Sequence, residues 1–282
     1  MKNKKTKRII NKVIRFIVSS IIFVIMVYPL WWLFTSVFKD ADEINRIPPT
    51  LLAINPTFEN IRIIMDKFDI LGNMFFNSLY VAITIPILQT IVCVLAAYAF
   101  AKLKFKGSSI LFLIFMTSMM IPPQLTMLTN FLTITKTFKL MNNLLSLQLL
   151  GVFSAFAIFM LRQHFLTMPK ELEEAAMIDG CNPLQTYFKI VMPMLKPTMV
   201  SVAILEAMWV WNDYLLPTLV LDIKKYQTIP MLIQTSFKGG YGRVEMGAMM
   251  ACIMLTVIPI VIVYLLGQKH IIKGVAAGAV KG

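Results

Sequence analysis

Residues 169–197 read PKELEEAAMIDGCNPLQTYFKIVMPMLKP. This is the longest polar-leaning interruption in an apolar second half, and its residues specify structure rather than an open loop. Pro169 suits a first helical turn, where its missing N–H would have had no partner. Glu171, Glu173 and Glu174 crowd the N-terminal turns, which the helix dipole favours for anions. Leu172, Ala175, Ala176 and Asp179 recur at spacings of three and four, giving a small apolar face with an acidic end. Gly180 stands where a left-handed C-terminal cap is wanted. Asn182 and Pro183 restart a helix as cap and first residue. The second helix is expected to run to Met192, with Pro193 stopping or kinking it. Two short helices about a glycine elbow predict a rigid knob.

Composition sets the solvent. The chain has 282 residues, 58% hydrophobic and 15% charged, with a mean hydropathy of +0.74. Soluble domains carry nearer a quarter charged residues, so this is an integral membrane protein. The net charge of +13 is spread over short loops and ends beside apolar runs, which argues for the positive-inside rule and against nucleic acid. Cys93, Cys181 and Cys252 form neither a disulfide framework nor a zinc spacing. His164 and His270 each lie just beyond an apolar run without partners for a metal, so no metal site is expected. The methionines, such as Met116, Met119 and Met120, read as gap fillers.

In chain order, a basic N-terminus at 1–13 precedes a first span at 14–38. That span is too long for a signal-peptide core and lacks a cleavage site, so it is retained. Tyr28, Trp31 and Trp32 suit the far interface. A polar extracytoplasmic segment fills 39–70. A core at 71–267 contributes five more spans, near 71–101, 109–132, 144–165, 198–221 and 246–267. Pro122-Pro123 should break the third of the six, and Lys136 and Lys139 sit on a short connection after it. A basic tail at 268–282 closes the chain. With the N-terminus in the cytosol, inner segments hold 17 of the 27 Lys and Arg, so both termini and the knob face the cytosol. The expected fold is all-α, a polytopic membrane protein with six transmembrane helices.

The main intramembrane polar cluster lies on the fifth span. Glu206, Trp209 and Asp213 are spaced by three and four and should share one face, with Asn212 adjacent and Pro217 a turn further. An ionisable group near mid-bilayer costs about 2.5–3.5 kcal/mol on insertion scales, so it must face protein or water. Two readings stay open: a solute path of hydroxyl acceptors beside an aromatic face, or hydrogen bonds that pin neighbouring helices. Asn77, Ser78, Gln89 and Gln148 read as packing groups. No glycine-rich phosphate loop, nucleophile elbow or zinc-protease motif occurs, so the chain should neither hydrolyse ATP nor act as an enzyme.

Glu174-Ala175-Ala176, three residues, Gly180, nine residues, Ile190, one residue and Met192-Pro193 resembles the EAA loop of ABC-importer permeases, where Leu is usual at the place of Met192. The wider wording, and Trp211-Asn212-Asp213-Tyr214 with Pro217, are similar to the carbohydrate branch. The resemblance implies a type I importer fold and a permease in a prokaryotic cell membrane, paired with a second, homologous permease. It implies an ABC ATPase dimer that uses ATP, an extracytoplasmic solute-binding protein, and no cofactor bound by this chain. Glu174, Ala175, Ala176, Gly180, Ile190 and Pro193 would couple to the ATPase. On the solute-path reading of the fifth span, Glu206, Trp209, Asn212 and Asp213 would line the sugar path; the resemblance implies that Gly239, Gly240 and Tyr241 would meet the binding protein. The rivals are an ion-gradient-driven transporter using Glu206 and Asp213, an importer of polyols or sugar phosphates, and a membrane scaffold.

Overall fold

The computed structural model describes the backbone of residues 2–66, 68–103, 105–169, 171–235 and 245–279, with side chains over 8–66, 70–103, 105–169, 171–233 and 245–271. The order is α1 (Lys2–Ser36), α2 (Ala41–Ile44), α3 (Glu59–Asp66), α4 (Phe68–Lys102), α5 (Ser108–Ser118), α6 (Pro123–Leu132), α7 (Leu145–Gly151), α8 (Ala155–Thr167), α9 (Glu171–Ile178), α10 (Pro183–Thr186), α11 (Met192–Asn212), α12 (Leu215–Val220), α13 (Ile229–Thr235) and α14 (Met246–Ala279). Wide π-helical turns follow α6 and α10, at Thr133–Phe138 and Tyr187–Val191. Among the described residues, four stretches are long and apolar enough to cross a membrane: Arg8–Ser36, Ile70–Lys102, Pro183–Asn212 and Met246–Ile271. Two bent helix pairs bring the count to six if each is one span.

One unit comprises residues 1–69 and 233–257. In it, α1 is predominantly apolar on every face from residue 16 to 34, and none of those residues is buried, as suits a helix whose surroundings are lipid. The segment after α1 is compact and polar inside. Buried Glu43 accepts from the Thr50 hydroxyl at 2.6 Å and from the Ile54 amide at 2.9 Å. Buried Lys39 donates to the Thr50 carbonyl at 2.6 Å. Asn60 ties the carbonyls of Val37 and Lys39 at 2.9 and 2.7 Å. Gly247 of α14 is required here, since a Cβ would collide with the Asn60 side chain.

The second unit comprises residues 70–232 and 258–282. One core cluster joins Cys93, Val94 and Ala97 of α4 to Ala157, Ile158, Leu161 and Phe165 of α8, and to Tyr187, Val191, Leu195 and Val202. A second joins Val81 and Ile85 to Ile134, Leu147, Val220 and Leu221. At Gly151 a Cβ would lie 2.8 Å from Ile85 Cγ2, so this glycine sets how closely α7 approaches α4.

The structure bears on three expectations about the spans. The break expected at Pro122-Pro123 is present: the stretch at 109–132 turns by 98° there, and α5 has only 11 residues. At about 1.5 Å per residue α5 is too short to cross alone. The stretch at 144–165 bends by 45° where Ser154 starts α8. Pro193 does not stop its helix: Pro183–Asn212 is one long helical stretch. The π turn before Pro193 carries the change, with the Met192 amide bonding five residues back to Tyr187. The missing proline N–H then falls in a first turn, where it is tolerated. Residues 222–235 hold a 3-10 turn at Lys224–Tyr226 and α13.

The elbow is as the sequence predicts. Gly180 has φ +85°, and its N–H bonds to Met177 while that of Cys181 bonds to Ala176, closing α9 with a Schellman cap. Asn182 and Gln185 form a reciprocal capping box at 2.8 and 3.0 Å, which starts α10. Nothing lies within 4 Å of a Cβ built on Gly180, so the cost of substitution is one of backbone conformation. Gly180→Val is expected to loosen the elbow by about 1–2 kcal/mol. Faster amide exchange over 171–186, with the membrane helices unaffected, checks it.

Burial raises the Glu43 carboxyl, but the Thr50 hydroxyl, the Ile54 and Asn55 amides and nearby Lys39 outweigh it and hold the pKa below its ordinary 4.5. A depressed carboxyl contributes stability above its unfolded pKa and loses it as pH falls through the folded one. Glu43→Gln should therefore lower the melting temperature at pH 7, with the gap to wild type closing on acidification below about pH 4.

Candidate functional site

A pocket of about 460 Å³ lies in the second unit among α4, α6, α7, α11 and α12. Its polar lining is Gln89, Gln124, Glu206, Asn212 and Asp213, and its aromatic lining is Phe153 and Trp209. All four residues expected on the path therefore reach one cavity, by different local structures.

Glu206 is buried at 4% exposure, and its carboxylate accepts from the Ser154 hydroxyl at 2.7 Å. The Gln89 side chain hydrogen-bonds to it as well. The Ser154 Oγ also accepts from the Ala157 amide at 3.2 Å and so caps α8. Trp209 is 54% exposed, with its ring 5.1 Å from that of Phe156. Asn212 donates to the Met208 carbonyl at 2.7 Å, one turn back, which leaves its carbonyl oxygen for other donors.

Asp213 is not on the helical stripe with Glu206 and Trp209. α11 ends at Asn212, and Asp213 has extended backbone. Its carboxylate caps the start of α12, accepting from the Leu215 amide at 2.9 Å and the Leu216 amide at 3.4 Å. Pro217 follows inside α12, where a helix restart tolerates it. Spacing alone carries the helix too far.

Sequence reasoning misses Ser154 and Gln124 and places Gln89 among the packing groups. Ser154 leaves a signal, a serine directly before the apolar run AFAIF. Gln124 leaves none beyond the neighbouring prolines. A second pocket of about 340 Å³ is lined by Asn73, Asn77, Tyr80, Asn143, Lys225 and Tyr226. Asn77 bridges the carbonyls of Lys225 and Gln227 there, at 2.8 and 2.9 Å.

The residues of 169–197 divide by exposure. Glu174, Ala175, Gly180 and Pro193 are exposed, Ile190 is partly so, and Ala176 is buried at 3%. Glu173 pairs with Lys102 Nζ at 2.6 Å. Gly239, Gly240 and Tyr241 lie outside the described residues.

Apolar helices interrupted at capped breaks, a polar pocket within them and a short acidic helix on a glycine elbow define a polytopic membrane transport subunit. Residues 89–277 match the family described as binding-protein-dependent transport system inner membrane component. The chain is 33% identical over 261 residues to the arabinooligosaccharides transport system permease protein of Halalkalibacterium halodurans, covering 92% of each. It is 30% identical over 268 residues to the diacetylchitobiose uptake system permease protein of Streptomyces coelicolor, covering 94% of this chain and 96% of that one. It is 28% identical over 254 residues to the sn-glycerol-3-phosphate transport system permease protein of Pectobacterium atrosepticum, covering 88% of this chain and 90% of that one. A crystal structure of a bacterial ABC transporter involved in alginate import has a chain with the same fold, at TM-score 0.77, 21% identity and coverage of 92% and 96%. The chain belongs to the binding-protein-dependent inner membrane components: it is a permease subunit of an ABC importer and a multi-pass plasma-membrane protein.

Ser154→Ala removes a helix cap and a donor to a buried carboxylate together. A loss of about 1–3 kcal/mol is expected, read as a fall in the melting temperature of the detergent-solubilised protein. Ser154→Thr, which keeps both hydrogen bonds, should recover most of it.

Proposed function

We propose that this permease forms, with a second, homologous permease, the path for ATP-driven uptake of a neutral sugar or oligosaccharide. An extracytoplasmic binding protein delivers the solute, and an ABC ATPase dimer docks against the exposed face of the 169–193 knob, which includes Glu174 but not the enclosed Glu173. ATP is used by the ATPase, and this chain binds no cofactor. The termini lie in the cytosol of a prokaryotic cell. Glu174, on the exposed side of α9, carries the contact with the ATPase. Closure of the ATPases then rocks the two permeases between inward-open and outward-open states.

The observation that carries the sugar reading is the lining of the larger pocket. Three amides and two carboxylates offer acceptors and donors for hydroxyl groups, and Trp209 offers an aromatic face. Among the described residues that line it, none is Lys or Arg. A phosphate ester or a uronate would meet two carboxylates without a counter-charge, which like-charge repulsion disfavours. The arabinooligosaccharide and diacetylchitobiose relatives support the same class of solute. The pocket therefore favours neutral saccharides over the sugar phosphates that the glycerol-phosphate relative would suggest.

The test uses sealed vesicles holding the assembled importer, ATP and loaded binding protein, with proton and sodium gradients collapsed. Uptake of a neutral oligosaccharide should persist, and excess sugar phosphate should not compete. Trp209→Ala should weaken uptake roughly tenfold, the effect of about 1.4 kcal/mol, and shift sugar preference. Loss of uptake on collapsing the gradients, with ATP present, would defeat the importer reading.

A further inference from the structure

Two adjacent glutamates on α9 have different surroundings, about 100° apart around the helix. Glu174 is exposed. Glu173 reaches Lys102 in the last turn of α4 at 2.6 Å, with side-chain exposures of 16% and 10%. A pair so enclosed is screened far less than a surface ion pair, and removing one partner leaves a charge with no counter-charge in a confined site.

Behind the pair, aromatic packing extends the junction. Tyr98, one helical turn before Lys102, meets Tyr187 edge-on at 4.9 Å between ring centroids and Phe165 at 5.6 Å. The loop is thus fastened to α4 before the Gly180 elbow by the ion pair and after it by Tyr187.

From this junction α4 runs unbroken to the pocket. Gln89, Ile85 and Val81 of the same helix line the cavity. Lys102 and Gln89 are about 20 Å apart at 1.5 Å per residue. The opposite wall belongs to α11, which continues from the loop through the π turn and carries Glu206. Gln89 and Glu206 hydrogen-bond across the cavity. A shift of the loop therefore reaches one wall along the chain through α11. It reaches the other through packing of α4 against α8 and α11 and through contacts of α9 and the π turn with α4, where the Lys102–Glu173 pair supplies a charged link.

We propose that the Glu173–Lys102 ion pair is a coupling strut that makes α4 follow the docked loop, so that both walls of the pocket move in one stroke. Glu173 and Lys102 are positioning residues that act on the solute site through α4. Glu174 faces the partner and Glu173 faces the membrane helix, so the paired acids pass force between two faces of α9. The proposal rests on the reading that the 169–193 face docks on the ATPase.

The experiment uses the assembled importer in lipid nanodiscs for hydrolysis and in proteoliposomes for uptake. The variants are Glu173→Gln, Lys102→Gln and the exchange Lys102→Glu with Glu173→Lys. Each single variant should keep the ATPase bound through purification and keep basal hydrolysis, while solute transported per ATP falls at least fivefold. The exchange should restore that ratio to at least half of wild type, because the pair is re-formed with its charges reversed. A structural staple without a coupling role would lower the melting temperature and leave the ratio alone, which overturns the proposal. Loss of the ATPase from Glu173→Gln also overturns it, since Glu173 would then be a docking residue. So does an exchange variant that stays as uncoupled as the singles. Glu174→Lys, run alongside, reports on docking separately. It should release the ATPase or abolish solute-stimulated hydrolysis, and normal turnover in it defeats the docking reading while leaving the strut variants to be judged on their own ratio.

Discussion

A carboxylate buried among apolar helices must find donors, and the needs of Glu206 shape its surroundings. Ser154 supplies one donor and Gln89 another. Ser154 can do so because the helix breaks immediately before it, and the same hydroxyl accepts the Ala157 amide that the break exposes. One side chain thus satisfies a broken backbone and a buried charge. Where donor sites converge in this way, packing and solute recognition are not alternatives: hydrogen bonds that hold α4, α8 and α11 together also set out the polar lining of the cavity.

The broken helices follow from the same constraint. In lipid an unsatisfied backbone group costs several kcal/mol, so each interruption carries its own repair. Before the Pro122-Pro123 turn, the Met119, Met120 and Ile121 amides bond three residues back. Thr117 and Ser118 hydroxyls bond to the carbonyls of Ile114 and Phe115 at 2.8 and 2.7 Å. After α6 the chain widens into a π turn, with Leu140 bonding to Ile134 before Asn142 reaches the Val220 carbonyl. Irregular backbone at these points lines or borders the pockets, where polar groups have protein or a cavity beside them.

The loop at 169–193 obeys a different rule: both of its arms are stiff while its outer face stays exposed. The Schellman cap and the capping box fix the angle at Gly180 with backbone and amide hydrogen bonds alone. The acidic side chains of α9 remain available, one inward to Lys102 and others outward. The π turn then merges the second arm into α11, so that arm is the exposed end of a long membrane helix, while α9 stands apart from it across the elbow.

Local chemistry made much of this legible beforehand. The six apolar runs, the proline break near 122, the left-handed glycine at 180 and the Asn182-Pro183 restart all rest on interactions within a few residues, which one-dimensional spacing records. The motif around Glu174 and the gathering of Glu206, Trp209, Asn212 and Asp213 at one cavity were legible for the same reason. The tertiary structure alone decided which helix turns stay regular: spacing cannot show that a π register absorbs Pro193, or that α11 stops at Asn212 so that Asp213 becomes a cap. It also decided which polar groups meet across long separations. Ser154 and Glu206 are brought together by packing, as are Lys102 and Glu173 and the edges of Tyr98 and Tyr187. Their attraction depends on where low dielectric and apolar packing place them, and a linear pattern of residue types carries no record of that.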